Sequence, residues 1–163
     1  MSNTFNVSMY VDGACSGNHQ TTEARKAGYG AVLIYVSLAG KRHIKKLCGP
    51  VEGETLSNNI AELTAVLRGL ESIGTAYRSR SDITVYSDSK YVVNTFTTWI
   101  NSWVVKNSQL YKKGGKELVA NSDTILEIRH LASRFHNVRF LHVKGHAGDE
   151  WNEEADRLAK SVI

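Results

Sequence analysis

The chain has 163 residues, 42% of them hydrophobic and 22% charged, so it can bury a core of its own and is expected to form a single domain spanning 1–163. Its net charge of +4 favours a polyanionic partner without establishing one. Two cysteines, Cys15 and Cys48, are too few for a disulfide scaffold and suggest a reducing, cytoplasmic setting; no cationic, apolar leader opens the chain, and no run approaches ~18 apolar residues, so neither secretion nor a membrane span is expected.

Phe5, Val7, Met9 and Val11 alternate with Asn6, Ser8, Tyr10 and Asp12, which predicts a strand with Asp12 at its C-terminal end. Residues 29–36 and 42–47 read as two further strands around a hairpin loop at Ser37–Gly40. The period then changes. Leu63, Val66, Leu67, Leu70 and Ile73 recur every three or four residues, predicting an amphipathic helix over 58–74 that ends near Gly74. A short strand at 83–86 precedes a helix expected from Ser89 to about Lys106, with Trp99 in the core. Polar residues 107–122 follow as a loop, then a helix over 122–134, a strand at 138–143, a Gly-rich loop and a last helix over 150–162. Strands first and helices between the later ones imply an α/β fold, a central sheet with helices packed on it.

Four acids stand out: Asp12 in YVDGACSGN, Glu62 in SNNIAELTA, Asp88 in VYSDSKYV and Asp156 in WNEEADRLA. Two sit where an apolar run stops and two at the edge of an apolar helical face. Collected in one place they would repel, and divalent metal is the natural neutraliser. Each also has a plainer explanation. Asp12-Gly13 is a common turn dipeptide. Glu62 fits the far end of a capping box begun by Ser57 or Asn59. Asp88 stands where a helix N-cap belongs, and Asp156 precedes Lys160 by four residues, the spacing of a surface ion pair. Taken singly, none of the four is diagnostic.

Taken together, YVDGACSGN, SNNIAELTAVLRGL, YSDSKYVVN and VKGHAGDEWNEEADRLA resemble, in order and over essentially the whole chain, ribonuclease H of type I (the HI family). The resemblance implies the ribonuclease H-like fold, a five-stranded mixed sheet of three antiparallel and then two parallel strands flanked by α-helices. It implies that Asp12, Glu62, Asp88 and Asp156 are metal-binding and catalytic carboxylates for two Mg²⁺ ions (Mn²⁺ as an alternative). It further implies an RNA–DNA hybrid as substrate, hydrolysis of its RNA strand to 5′-phosphate and 3′-hydroxyl ends, and a role in removing primers and R-loops. Two-metal sites activate the attacking water and stabilise the leaving oxygen.

His146 corresponds to the family's loop histidine, implied to assist proton transfer or product release; glycines on either side suit an imidazole that must swing. His142 and His146 also have a helical zinc spacing, but Gly145 and Gly148 indicate a strand leading into a loop instead. Substrate contacts implied by the resemblance are Asn18, Asn58 and Asn59 at the minor groove, where 2′-hydroxyls mark RNA, with Cys15 and Ser57 as neighbours and Lys90 where the family often has glutamine. Helix capping is the competing role for Asn58 and Asn59.

Trp103, Lys106, Lys112, Lys113 and Lys116 coincide with the family's basic handle, which grips DNA-strand phosphates; Glu117 is the only acid nearby. The alternative is a solvated lysine loop. His19 to Lys26 reads as a surface insertion, with Arg25 and Lys26 near the expected groove. Two other functions remain open, a non-catalytic hybrid-binding module and a nuclease of the same fold with another target, such as branched DNA. No apolar face is left over for dimerisation, so a monomer is expected.

Overall fold

The computed structural model describes residues 4–17, 25–53, 55–145 and 149–163. Period-two patterning builds the first three strands, β1 (Phe5–Ser16), β2 (Lys26–Val36) and β3 (Arg42–Val51), with Gly40 at φ +81° closing the turn between the last two. After them come α1 (Asn58–Glu71), β4 (Ser81–Ser87), α2 (Lys90–Thr97), β5 (Val104–Lys106), β6 (Gln109–Tyr111), α3 (Ser122–Ala132), β7 (Asn137–His142) and α4 (Glu150–Lys160). Short 3₁₀ turns occupy Thr75–Arg80 and Trp99–Ser102.

The main sheet runs β3-β2-β1-β4-β7. β1, β2 and β3 pair antiparallel, and β1, β4 and β7 pair parallel. This is the mixed five-stranded sheet that the resemblance implied. Strand alternation decides which helix each residue meets. Val7, Met9, Val11, Ala31 and Leu33 share a core with Leu63, Val66, Leu67 and Leu70 of α1. Val32 and Ile34, one residue out of phase, pack instead with Ala155 and Leu158 of α4. Fully burying each Leu or Val contributes roughly 1.5–3 kcal/mol, so these two seams fix both helices against the sheet.

Two glycines set how closely α4 approaches. A Cβ at Gly28 would lie 2.4 Å from the Ala159 carbonyl oxygen, and one at Gly30 would lie 2.3 Å from that of Ala155. The helix therefore rests directly on the β2 backbone, carrying Asp156 towards the centre of the sheet.

The structure departs from the expected elements mainly after β4. A single helix from Ser89 to Lys106 does not form: α2 stops at Thr97. Its second turn is rich in β-branched residues, and Thr95 and Thr97 donate to the carbonyls of Tyr91 and Val93 at 2.7 and 2.6 Å, a pattern that weakens a helix. Val104-Val105 then enters a strand. Asn107 and Ser108, both at positive φ, form the two-residue turn that joins β5 to β6, so the expected loop at 107–122 contains half of a hairpin. Trp99 is not in the core. It is 40% exposed and meets Tyr91 edge-on at 6.1 Å, whereas Trp103 packs against the core cluster. At the other helix, α1 ends at Glu71 with Ser72 as its cap, short of Gly74.

Candidate active site

Asp12 occupies the point where the two neighbours of β1 part company. Its pairing with β2 continues through Ser16–Lys26, while its pairing with β4 ends at Val11–Ser87. Asp12-Gly13 is thus not a turn; both residues lie within the strand. Gly13 has another purpose. A Cβ there would lie 2.4 Å from both the Ala61 carbonyl carbon and the Glu62 nitrogen, so the missing side chain is what allows α1 to lie against β1 at this level. Glu62 is brought alongside Asp12 as a result.

The plainer explanations for Glu62 and Asp88 are taken over by neighbouring serines. Ser57 caps α1, its hydroxyl accepting from the Ile60 N–H at 3.2 Å, and Glu62 lies deeper in the helix with only 8% of its surface exposed. Its Oε2 is buried and has no hydrogen-bond partner. Ser89, not Asp88, caps α2, accepting from the Val92 N–H at 3.2 Å. The Asp88 backbone is held from β7: the Val143 N–H donates to the Ser87 carbonyl at 2.9 Å, and His142 Nε2 lies 3.2 Å from the Asp88 carbonyl oxygen. A Cβ at Gly145 would come within 3.1 Å of Asp88 Oδ2. Neither His142 nor Gly145 was singled out from sequence as a support of Asp88. The register Ser87–His142 that joins them exists only in the paired sheet.

One carboxylate oxygen from each of Asp12, Glu62 and Asp88 lies within 4.8 Å of the others. Asp156, on α4, stands close enough to Asp12 to help raise its carboxyl, but it is not one of the three whose oxygens lie within 4.8 Å of one another. It also forms the ion pair anticipated with Lys160, Nζ to Oδ2 at 3.0 Å. Its surface-pair explanation and its place beside the cluster therefore both hold.

Burial and like charge have measurable consequences here. Loss of solvation, with the charge of Asp88 adding to it, raises the Asp12 carboxyl from 3.8 to about 6, although hydrogen bonds from Glu62 and the Gly13 N–H oppose the change. Glu62 is pushed well above the usual carboxylate range, first by burial and then by the charge of Asp12. Without a cation, both carboxyls are therefore biased towards their protonated forms. The donor set is all oxygen and anionic, with one buried Glu62 oxygen unpartnered, and this chemistry suits a hard divalent ion such as Mg²⁺ or Mn²⁺ rather than zinc.

Asn58 and Asn59 are exposed on the first turn of α1, the helix that carries Glu62, and Lys90 is exposed at the start of α2. Cys15 is half-buried near the end of β1. Arg25 donates to the Leu56 carbonyl at 3.2 Å and so braces the segment leading into α1. In the handle, Lys106 donates to the Gly115 carbonyl at 2.9 Å and lies over the Tyr111 ring, while Lys112 pairs with Glu117 at 3.0 Å. Lys113 and Lys116 are exposed beside them. His146, Asn18 and most of the segment from His19 to Lys26 lie outside the described residues.

The RNase H family profile matches residues 4–163. The chain belongs to the ribonuclease H family. A ribonuclease H of Ehrlichia canis is 37% identical over 96% of this chain and 94% of its own length, and one from Lachnoclostridium phytofermentans is 39% identical over 96% and 90%. Among solved structures, LC9-RNase H1, a type 1 RNase H with the type 2 active-site motif, superposes with a TM-score of 0.78 at 27% identity, covering 97% of this chain and 72% of that one. The RNase H1 of Halobacterium salinarum shares the fold, with a TM-score of 0.61 at 23% identity over 96% of each chain. Membership of the RNase H family is what the four sequence blocks implied, and the type I likeness extends to the sheet order. Among the described residues, no helix is long and apolar enough to cross a membrane.

Proposed function

We propose that this protein is a metal-dependent endoribonuclease that hydrolyses the RNA strand of RNA–DNA hybrids, leaving 5′-phosphate and 3′-hydroxyl ends, and that residues 1–163 act as one cytoplasmic, monomeric domain in primer and R-loop removal. The observation that carries this is the convergence of Asp12, Glu62 and Asp88 within 4.8 Å, with Asp156 beside Asp12, in a chain of the ribonuclease H family.

Asp12, Glu62, Asp88 and Asp156 would hold two Mg²⁺ ions. Bound there, the ions supply a Lewis-acidic environment for the attacking water and the leaving 3′-oxygen. Around them the chain's own groups divide the remaining work. Asp12, in the group with Glu62 and Asp88, would contribute to holding both ions. Glu62, whose carboxyl is raised by burial and by the charge of Asp12, would be neutralised by a bound cation and would supply its unpartnered oxygen to it. Asn58 and Asn59 face the solvent on α1 and offer amide groups to 2′-hydroxyls, with Asn18, Cys15, Ser57 and Lys90 as further contacts. His146 relays a proton at the leaving oxygen. Lys113 and Lys116 are the free-reaching cations of the handle, with Trp103, Lys106 and Lys112 building the platform under them.

A substrate panel tests the proposal: hybrid, double-stranded RNA, duplex DNA and a branched DNA junction, each with Mg²⁺ and with EDTA. Cleavage confined to the RNA strand of the hybrid and abolished by EDTA is expected. Binding of hybrid without cleavage would leave a recognition module, and cleavage of branched DNA in preference to hybrid would move the protein to another nuclease class.

A further inference from the structure

The acid cluster carries its own counter-ion. Lys160 sits one helical turn beyond Asp156 on α4, in the favourable order of acid before base, and its Nζ meets Asp156 Oδ2 at 3.0 Å. Its ammonium also lies within Coulombic range of Asp12. The seam between α4 and β2 holds this arrangement in place. Ala155, Leu158 and Ala159 are buried against β2, so the helix turn bearing Asp156 and Lys160 is fixed relative to Asp12. The lysine itself stays 60% exposed, free to swing from Asp156 to water.

A tethered ammonium on a carboxylate competes with any ion that wants the same oxygen. Lys is well suited to this, since its ammonium is a point charge on a flexible stem and is not locked in a two-pronged geometry. We propose that Lys160 is a positioning residue that competes with divalent metal for Asp156, holding that carboxylate in place before the metal arrives and weakening the metal's grip on the Asp156 side of the site. This rests on the metal-dependent role proposed above for the four carboxylates. It predicts opposite effects on two quantities. Removing the charge should make the ion-free protein less stable, because one neutralising cation is lost. It should also make divalent-ion binding tighter, because a competitor is lost.

The test compares wild type, Lys160→Met, which keeps most of the stem without the charge, and Lys160→Arg. Mn²⁺ and Mg²⁺ binding to the whole protein is followed by calorimetry at low salt, with melting in EDTA and the Mg²⁺ dependence of hybrid cleavage alongside. For Lys160→Met the expected result is roughly three- to tenfold tighter ion binding, from the Coulomb interaction of a unit charge with a divalent one near a protein surface. A lower melting temperature in EDTA and half-maximal activity at lower Mg²⁺ should accompany it. The gain in affinity should shrink at high salt, and Lys160→Arg should return affinity most of the way to wild type. A merely structural lysine would give weaker ion binding along with the lower melting temperature. Ion affinity in Lys160→Met that is unchanged or weaker, while wild type binds normally, overturns the inference and leaves the proposed function standing. Absence of ion binding in wild type as well overturns both.

Discussion

Asp12→Asn should destroy activity and yet make the ion-free protein more stable. The carboxyl of Asp12 is raised from 3.8 to about 6 in the fold, chiefly by burial. A carboxyl so shifted binds its proton more tightly folded than unfolded, so stability falls as pH rises from about 4 to about 6 and stays low above that. A shift of about two units corresponds to about 3 kcal/mol, and an amide that forfeits some of the Gly13 and Glu62 interactions would recover roughly 2 of these. Asn also removes the charge that raises Glu62, so the relief extends into neutral pH. For a chain of this size, about 2 kcal/mol corresponds to roughly 4–8 °C in Tm. Melting both proteins in EDTA from pH 4.5 to 8 checks this. The variant should nearly match wild type at the acid end and exceed it increasingly towards neutrality, while Mg²⁺ raises the wild-type Tm more than that of the variant. Asp12→Asn should show no cleavage of hybrid, and neither should Asp88→Asn. A variant that melts lower than wild type at pH 7, or by a pH-independent margin, would refute the account of a strained, buried anion cluster.

Other expectations follow from single sites. His146→Ala should slow turnover by roughly a hundredfold, within the usual range for a general acid–base group, without abolishing it; a pH–rate profile identical to wild type would remove the histidine from the mechanism. Replacing Lys113 and Lys116 with Ala should raise KM and flatten its salt dependence with kcat little changed, and a double variant of Lys106 and Lys112 should do so less, because those amines are already engaged at Gly115, Tyr111 and Glu117; an unchanged salt slope in the first variant would show that the handle does not touch nucleic acid. Gly13→Ala should cost on the order of 1–3 kcal/mol or more and most of the activity, since its methyl would stand 2.4 Å from the backbone of α1; a soluble variant with wild-type Tm and turnover would mean that the close approach of helix and strand is not needed.

Local chemistry was legible where it repeats over short distances. Alternation of Val7, Met9 and Val11 and the three-to-four spacing of Leu63 to Leu70 announced β1 and α1, and both are buried as written. The stretch from Ser89 to Lys106 misled because its apolar spacing suits a helix while its β-branched residues and Thr side chains favour strand and turn, and two residues at positive φ redirected the chain into a hairpin. Trp99 misled for the related reason that its burial depended on a helix that ends before it.

The amino-acid order alone marked four acids, their companions and the family they resemble, because short motifs keep residue type and spacing together in one dimension. Whether those acids share a site was a matter of three dimensions. Asp12 meets Glu62 because Gly13 admits a helix, Asp88 is held from β7 through His142 and the Ser87 carbonyl, and Asp156 arrives on a helix seated on Gly28 and Gly30. Each of these contacts joins segments far apart in the chain, and long-range packing, which leaves no local periodicity to read, is what gathered Asp12, Glu62 and Asp88 into one pocket of charge and brought Asp156 near Asp12.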